Sequence, residues 1–244
     1  MALPLTSEQW LAFTLSITFV LIAVVIGFIV GLKGLKSYRQ TKGIATFFFA
    51  LSVLGAALAL LFVVLEKFCI IVFQTWPPPP MPDPTYAVIF GYVAQAFSIL
   101  AIISICTFAF NMAAPKLWKI FAVIVVVFMA IFGYFWFLGP VTVDWAATEL
   151  AISEISQILV YAIDTPLLII PMLVFFYYAV KVRAESPKKS HMSLFMGLGL
   201  ICFNIGSIVE IVGFDIWIAT IGRFLFIPAM LFYYWGLFRV KGEK

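Results

Sequence analysis

Four ionisable side chains, Glu66, Asp164, Glu210 and Arg223, lie inside otherwise apolar stretches of this sequence. At the centre of a bilayer such a group costs roughly 2.5–3.5 kcal/mol or more unless it meets water or a partner. A carboxylate held in that setting can bind a cation, take up a proton or pair with a guanidinium. Three carboxylates against one guanidinium leave a formal excess of two negative charges, which suits a cation, an amine or a proton.

Depth can be counted from the basic residues that flank each stretch. Asp164 stands 17 residues before Lys181, about 25 Å along a helix at ~1.5 Å per residue, and Arg223 stands 16 before Arg239. Glu210 is 21 residues after Lys189 and Glu66 is 24 after Lys42, so all four belong to the half of the membrane away from those lysines. Helical spacing indicates direction. Glu154, Gln157, Tyr161, Asp164 and Leu168 follow one another at steps of three and four, which places them on one stripe. Gly199, Cys202, Gly206, Glu210 and Gly213 share a face in the same way, and small residues mark close helix approach, so Glu210 is expected to face protein. Ser52, Gly55, Ala59 and Glu66 repeat the pattern. Gln95 lies at comparable depth, and Asn204 is one of the few polar groups further in. Together these residues imply a polar cavity open to one side. The competing reading is structural: Asp164 and Arg223 pair to tie two helices together, with Glu66 and Glu210 solvated at the interface.

The elements that must position these groups are transmembrane helices. The chain has 244 residues, is 65% apolar and 11% charged, and has a mean hydropathy of +1.16, far from the balance of a water-soluble domain. Seven apolar runs are each long enough to span: Trp10 to Leu32, Ile44 to Phe68, Tyr86 to Met112, Lys116 to Leu138, Leu150 to Val180, His191 to Gly213 and Ile216 to Phe238. They use nearly the whole length, so a single transmembrane domain over 1–244 is expected, an all-α seven-helix bundle. The N-terminus lacks the positive region of a signal peptide, and the first run reads as retained. Between the runs lie charged or proline-rich connections, including Trp76 to Pro84 and Gly139 to Glu149. Pro115 suits the first turn of the fourth helix.

Orientation follows from charge. With the first connection in the cytoplasm, 13 of the 15 basic residues fall inside, all but Lys67 and Arg223. Glu8, Asp83, Asp144, Glu149 and Glu154 then fall outside. This puts the N-terminus outside, the C-terminus in the cytoplasm and the chain in the cell membrane as a multi-pass protein. Trp10, Trp76, Trp145 and Trp217 mark outer ends, Trp118 and Trp235 inner ends, as amphipathic rings prefer headgroup depth.

Several chemistries are disfavoured. The single histidine, His191, reads as an interfacial loop residue, so paired-histidine haem or metal ligation is not expected. A retinal Schiff base needs a lysine in the last helix, where only Arg223 is basic. Phosphate-binding loops, zinc-protease and serine-hydrolase motifs are absent from the sequence, and no cofactor, catalytic residue or nucleic-acid partner is expected. Cys69, Cys106 and Cys202 read as packing residues rather than a disulfide framework. Pro166, Pro171 and Pro228 fall inside helices, where each removes an amide donor and favours a kink that permits movement. The inner halves carry no intramembrane charge and no inverted repeat is evident, which weighs against a transporter.

Seven helices with the N-terminus outside, and a proline-bearing last helix ending Leu231-Phe-Tyr-Tyr-Trp-Gly-Leu-Phe-Arg239, resemble the seven-helix sensory input modules of prokaryotic signalling proteins, and more distantly rhodopsin-type bundles. The animal-receptor signatures are missing: Phe110-Asn111-Met112 ends the third helix, and no Asn-Pro-x-x-Tyr closes the seventh. The resemblance implies a non-enzymatic sensor or receptor-like module that signals through a separate cytoplasmic protein. An accessory subunit of a membrane complex and a small-cation or proton-coupled transporter are the alternatives.

Overall fold

The computed structural model describes residues 6–75, 85–139, 141–144, 149–212 and 216–238; the side chains of 72–75, 142–144, 149–151, 210–212 and 216 are not among those described. The proline-rich stretch 76–84, Trp76, Trp145, Gly213 and Arg239 therefore lie outside the described residues, as does the side chain of Glu210.

The helices are α1 (Ser7–Thr41), α2 (Ile44–Thr75), α3 (Thr85–Ala113), α4 (Trp118–Leu138), α5 (Glu154–Leu159), α6 (Thr165–Lys181), α7 (Pro187–Val212), α8 (Ile216–Phe224) and α9 (Phe226–Phe238). A π-helical turn, Val160–Asp164, joins α5 to α6 into one fifth span, and α8 and α9 together form the seventh. Seven spans result, each long and apolar enough to cross a membrane. Their outward faces are apolar, with Val123, Val127, Tyr134 and Leu138 of α4 all more than half exposed. Such a surface belongs in lipid, and the protein is a multi-pass membrane protein.

Several boundaries differ from the sequence reading. The first helix does not stop at Leu32 but runs on to Thr41, carrying Lys33, Lys36 and Arg39 on a helical extension. It begins at a capping box, in which Thr6 Oγ1 accepts from the Gln9 amide and Gln9 Oε1 accepts from the Thr6 amide. It ends at Lys42, whose left-handed backbone (φ 53°) turns the chain into Gly43. Pro115 sits in the turn before α4, not in its first turn, because the helix starts only at Trp118. His191 is helical and exposed, since α7 already begins at Pro187. The connection expected as plain loop after the fourth span holds a short antiparallel hairpin, β1 (Thr142–Asp144) with β2 (Glu149–Ala151), Val143 opposite Leu150.

Spans one, two, three, five, six and seven close into a ring, each packed on the next and the seventh returning to the first. Span four stands outside the ring against spans three and five. Small residues allow the close contacts. A Cβ at Gly27 would stand 2.9 Å from the Ala57 Cβ, and one at Gly34 would stand 2.9 Å from the Ala50 Cβ, so α1 and α2 meet almost backbone to backbone. Gly206 does the same between α7 and α8, where a Cβ would lie 2.9 Å from the Gly222 carbonyl.

Candidate functional site: a cavity inside the ring

The ring encloses a cavity of about 540 Å³, within the size range of small-molecule sites. Helix periodicity supplies its polar wall. Gln157, Tyr161, Asp164 and Leu168 line it as one stripe of the fifth span, with Ser52, Ala59 and Glu66 from α2 and Gln95 and Ser98 from α3. Gly55, on the same helix as Ser52, turns instead to α3, where a Cβ would meet the Phe97 carbonyl at 3.1 Å.

Within the cavity the charges are arranged unequally. Glu66 and Lys67 both line it, and Lys67 Nζ lies 3.8 Å from Glu66 Oε1. Asp164 is only 8% exposed, and its Oδ1 has no hydrogen-bond partner. A buried carboxylate oxygen left so is costly, because removal from water is not offset by a donor. Asp164 is therefore the point of the cavity at which a donor or cation gains most.

Local chain geometry places that carboxyl. Pro166 has no amide to give to the turn before it, and the chain passes the proline ring through the wider π turn that ends on Asp164. The Thr165 amide then reaches the Val160 carbonyl five residues back, and Thr165 Oγ1 donates to the same oxygen at 3.0 Å. Pro171 likewise cannot serve the Leu167 carbonyl, and the Cys106 thiol donates to it from α3 at 3.2 Å. Asn204 Nδ2 of α7 donates to the next carbonyl, that of Leu168, at 3.1 Å. The thiol from α3 thus stands in for the donor that Pro171 lacks, while Thr165 Oγ1 and, from α7, Asn204 add donors to carbonyls nearby.

Arg223 is elsewhere. Its guanidinium donates to Ser16 Oγ of α1 at 2.8 Å, Ser16 Oγ is 3.1 Å from Thr220 Oγ1, and Thr220 Oγ1 donates to the Ala12 carbonyl. The pairing of Asp164 with Arg223, the competing structural reading, does not form. The guanidinium on α8 thus reaches a hydroxyl of α1 and helps fasten span seven to span one. The seventh span is interrupted just inward of it: Leu225 lies between α8 and α9, its amide bonded to Gly222, and Pro228 has no amide for the Phe224 carbonyl.

Of the residues singled out in the sequence, Glu66, Gln95, Gln157, Tyr161 and Asp164 come together in the cavity. Asn204 supports the wall from behind, Arg223 joins other elements, and the Glu210 side chain is not among those described. Sequence reasoning missed Lys67 and Trp136 in the lining; the adjacency of Glu66 and Lys67 in an apolar run was the available signal for the first. It also missed the floor. Phe49 of α2, Phe108 of α3, Phe175 of α6 and Tyr233 of α9 are all buried. Their ring centroids lie 5.5 Å apart for Phe49 and Phe108, 5.5 Å for Phe108 and Phe175, and 6.1 Å for Phe49 and Tyr233. These four rings, from four different spans, form a layer one turn inward of Ser52, where the cavity's polar lining ends.

No protein-family model, curated protein or solved structure matches this chain.

Proposed function

We propose that this protein is a receptor-like sensory module of the cell membrane. It takes a small molecule into the cavity from the outer side and passes the occupied state to a separate cytoplasmic protein. The orientation rests on the sorting of basic residues, which places the N-terminus outside and the C-terminus in the cytoplasm. The observation that carries the reading is the combination of a ligand-sized cavity holding a buried carboxyl with an aromatic layer behind it. Permeation needs a polar route through the whole thickness, and the packed rings of Phe49, Phe108, Phe175 and Tyr233 at the end of the cavity offer little of one. Occupancy at Asp164 bears directly on the π turn and the proline-broken fifth span, whose inner end at Lys181 lies on the cytoplasmic side in this orientation.

Thiol accessibility tests the reading. In a chain with Cys69, Cys106 and Cys202 replaced by alanine, single cysteines at Gln157, Ala59 and Ser52 are exposed to a membrane-impermeant maleimide in right-side-out and inside-out vesicles. The expected result is labelling from the outside at all three, slowest at Ser52, and none from the inside. Labelling of Ser52→Cys from both faces would establish alternating access and replace the receptor reading with a transporter.

A further inference from the structure

We propose that the cavity's ligand is an amphiphilic monoamine, bound with its ammonium against Asp164 and its apolar body directed inward along Phe203, Phe226 and Tyr233. This deepens the reading of the cavity as a ligand site and rests on it.

Charge argues for a cation of one unit. The described lining carries three charged side chains, of which Glu66 and Lys67 lie 3.8 Å apart and offset one another. Asp164 has no such counterpart: it is buried, lines the cavity and has an oxygen without a donor. An ammonium supplies both the missing hydrogen bond and the missing charge, and a charge-assisted bond is roughly twice as strong as a neutral one. An anion would instead meet an excess of negative charge. A dication would need a second free acid within reach of Asp164.

The shape of the lining argues for an apolar body on that ammonium. Inward of Asp164 the wall is mostly apolar, made of Leu168, Ile105, Leu200, Phe203 and Phe226 with the hydroxyl of Ser52 among them, and it ends against Tyr233. Phe203 and Phe226 pack at 5.2 Å between ring centroids. Phe226 and Tyr233 both line the cavity and are separated by two turns of α9, about 11 Å of apolar depth. Hydroxyls are few there, so a sugar or polyol would leave most of its groups without partners. The outer part is different in kind. Gln95, Gln157 and Tyr161 give an amine entering from the interface a succession of polar contacts before it reaches Asp164.

The test is isothermal titration calorimetry of the full chain in nanodiscs, with the heats from empty nanodiscs subtracted. The probes are hexylamine, hexan-1-ol and hexanoate, which share a body and differ in head charge. Saturable binding of hexylamine roughly tenfold or more tighter than hexan-1-ol, with hexanoate silent, is the expected result. In Asp164→Asn the amine should fall to the level of the alcohol. Equal affinities for amine and alcohol in the unmodified protein would overturn the amine assignment and leave the ligand cavity standing. No saturable heat with any of the three would overturn the cavity reading as well. Hexylamine binding unchanged in Asp164→Asn would overturn the role of this carboxyl, and the amine-to-alcohol ratio in the unmodified protein decides the ligand class even if the variant fails to fold.

Discussion

The thiol of Cys106 donates to the carbonyl of Leu167, the oxygen that Pro171 leaves without a helical donor. A cysteine that looks like simple packing in the sequence thus repairs the backbone of a neighbouring helix. It does so one turn inward of Asp164, where the fifth span must hold its bend.

Replacing Cys106 by alanine should therefore lower stability by about 1 kcal/mol, the net worth of one buried hydrogen bond, plus the small loss of the sulfur's volume. Cys106→Ser keeps a donor and should recover most of it. Thermal unfolding of both variants in the same nanodiscs checks this; equal losses would show that the sulfur contributes by packing alone.

Asn204→Ala removes the donor to the Leu168 carbonyl from α7. Interhelical side-chain hydrogen bonds in membranes average about 0.6 kcal/mol and reach about 1.7 kcal/mol. A loss inside that range is expected, and it should be much the same in a Pro171→Ala background, because Pro171 deprives only the Leu167 carbonyl of a helical donor while Met172 serves Leu168 in either case. A double-mutant cycle checks this.

Asp164→Asn should leave the unfolding midpoint unchanged or raise it, by up to about 1 kcal/mol in stability, because it removes a buried acid whose Oδ1 has no partner. A structural ion pair would behave in the opposite way, since breaking one is strongly destabilising. The direction of the shift separates the two roles without any knowledge of ligand.

Ser16→Ala and Arg223→Met each break the link between α1 and α8. Their combined effect should fall short of the sum by at least about 0.5 kcal/mol, as contacting residues do. Strict additivity would mean that the 2.8 Å contact carries no energy.

Gly27→Ala places a methyl 2.9 Å from the Ala57 Cβ and should cost about 1–3 kcal/mol, because both helices would have to part. Gly43→Ala, where the nearest atoms are the Thr41 and Thr46 hydroxyls at 3.5 Å, should be far milder. Unfolding of the two variants side by side tests whether the α1–α2 contact is as tight as described.

The spans and the polar stripe of the fifth helix were legible because both follow from periodicity: twenty apolar residues demand a helix in lipid, and steps of three and four put Gln157, Tyr161, Asp164 and Leu168 on one side. The bond of Arg223 to Ser16 was not legible. Depth can be counted along a chain, but the azimuth of one helix relative to another depends on packing, and Ser16 and Thr220 gave no sign that they would gather around it. The π turn escaped for a related reason. Pro166 announces a disturbed helix, yet whether the chain bends, unwinds or takes in an extra residue is decided by what surrounds it, here in part the Thr165 hydroxyl on the Val160 carbonyl. Phe49, Phe108, Phe175 and Tyr233 were hidden among 27 phenylalanines and nine tyrosines, most of which any lipid-facing helix could carry.

The layer formed by those four rings also has an electrical meaning. Carrying one elementary charge through the full membrane potential is worth about 2.3 kcal/mol per 100 mV. In the proposed orientation a cation reaches Asp164 along Gln95, Gln157 and Tyr161 without crossing the rings, and the voltage falls mainly across the aromatic layer behind it. Depolarising the cell should then barely alter how much of the site is filled.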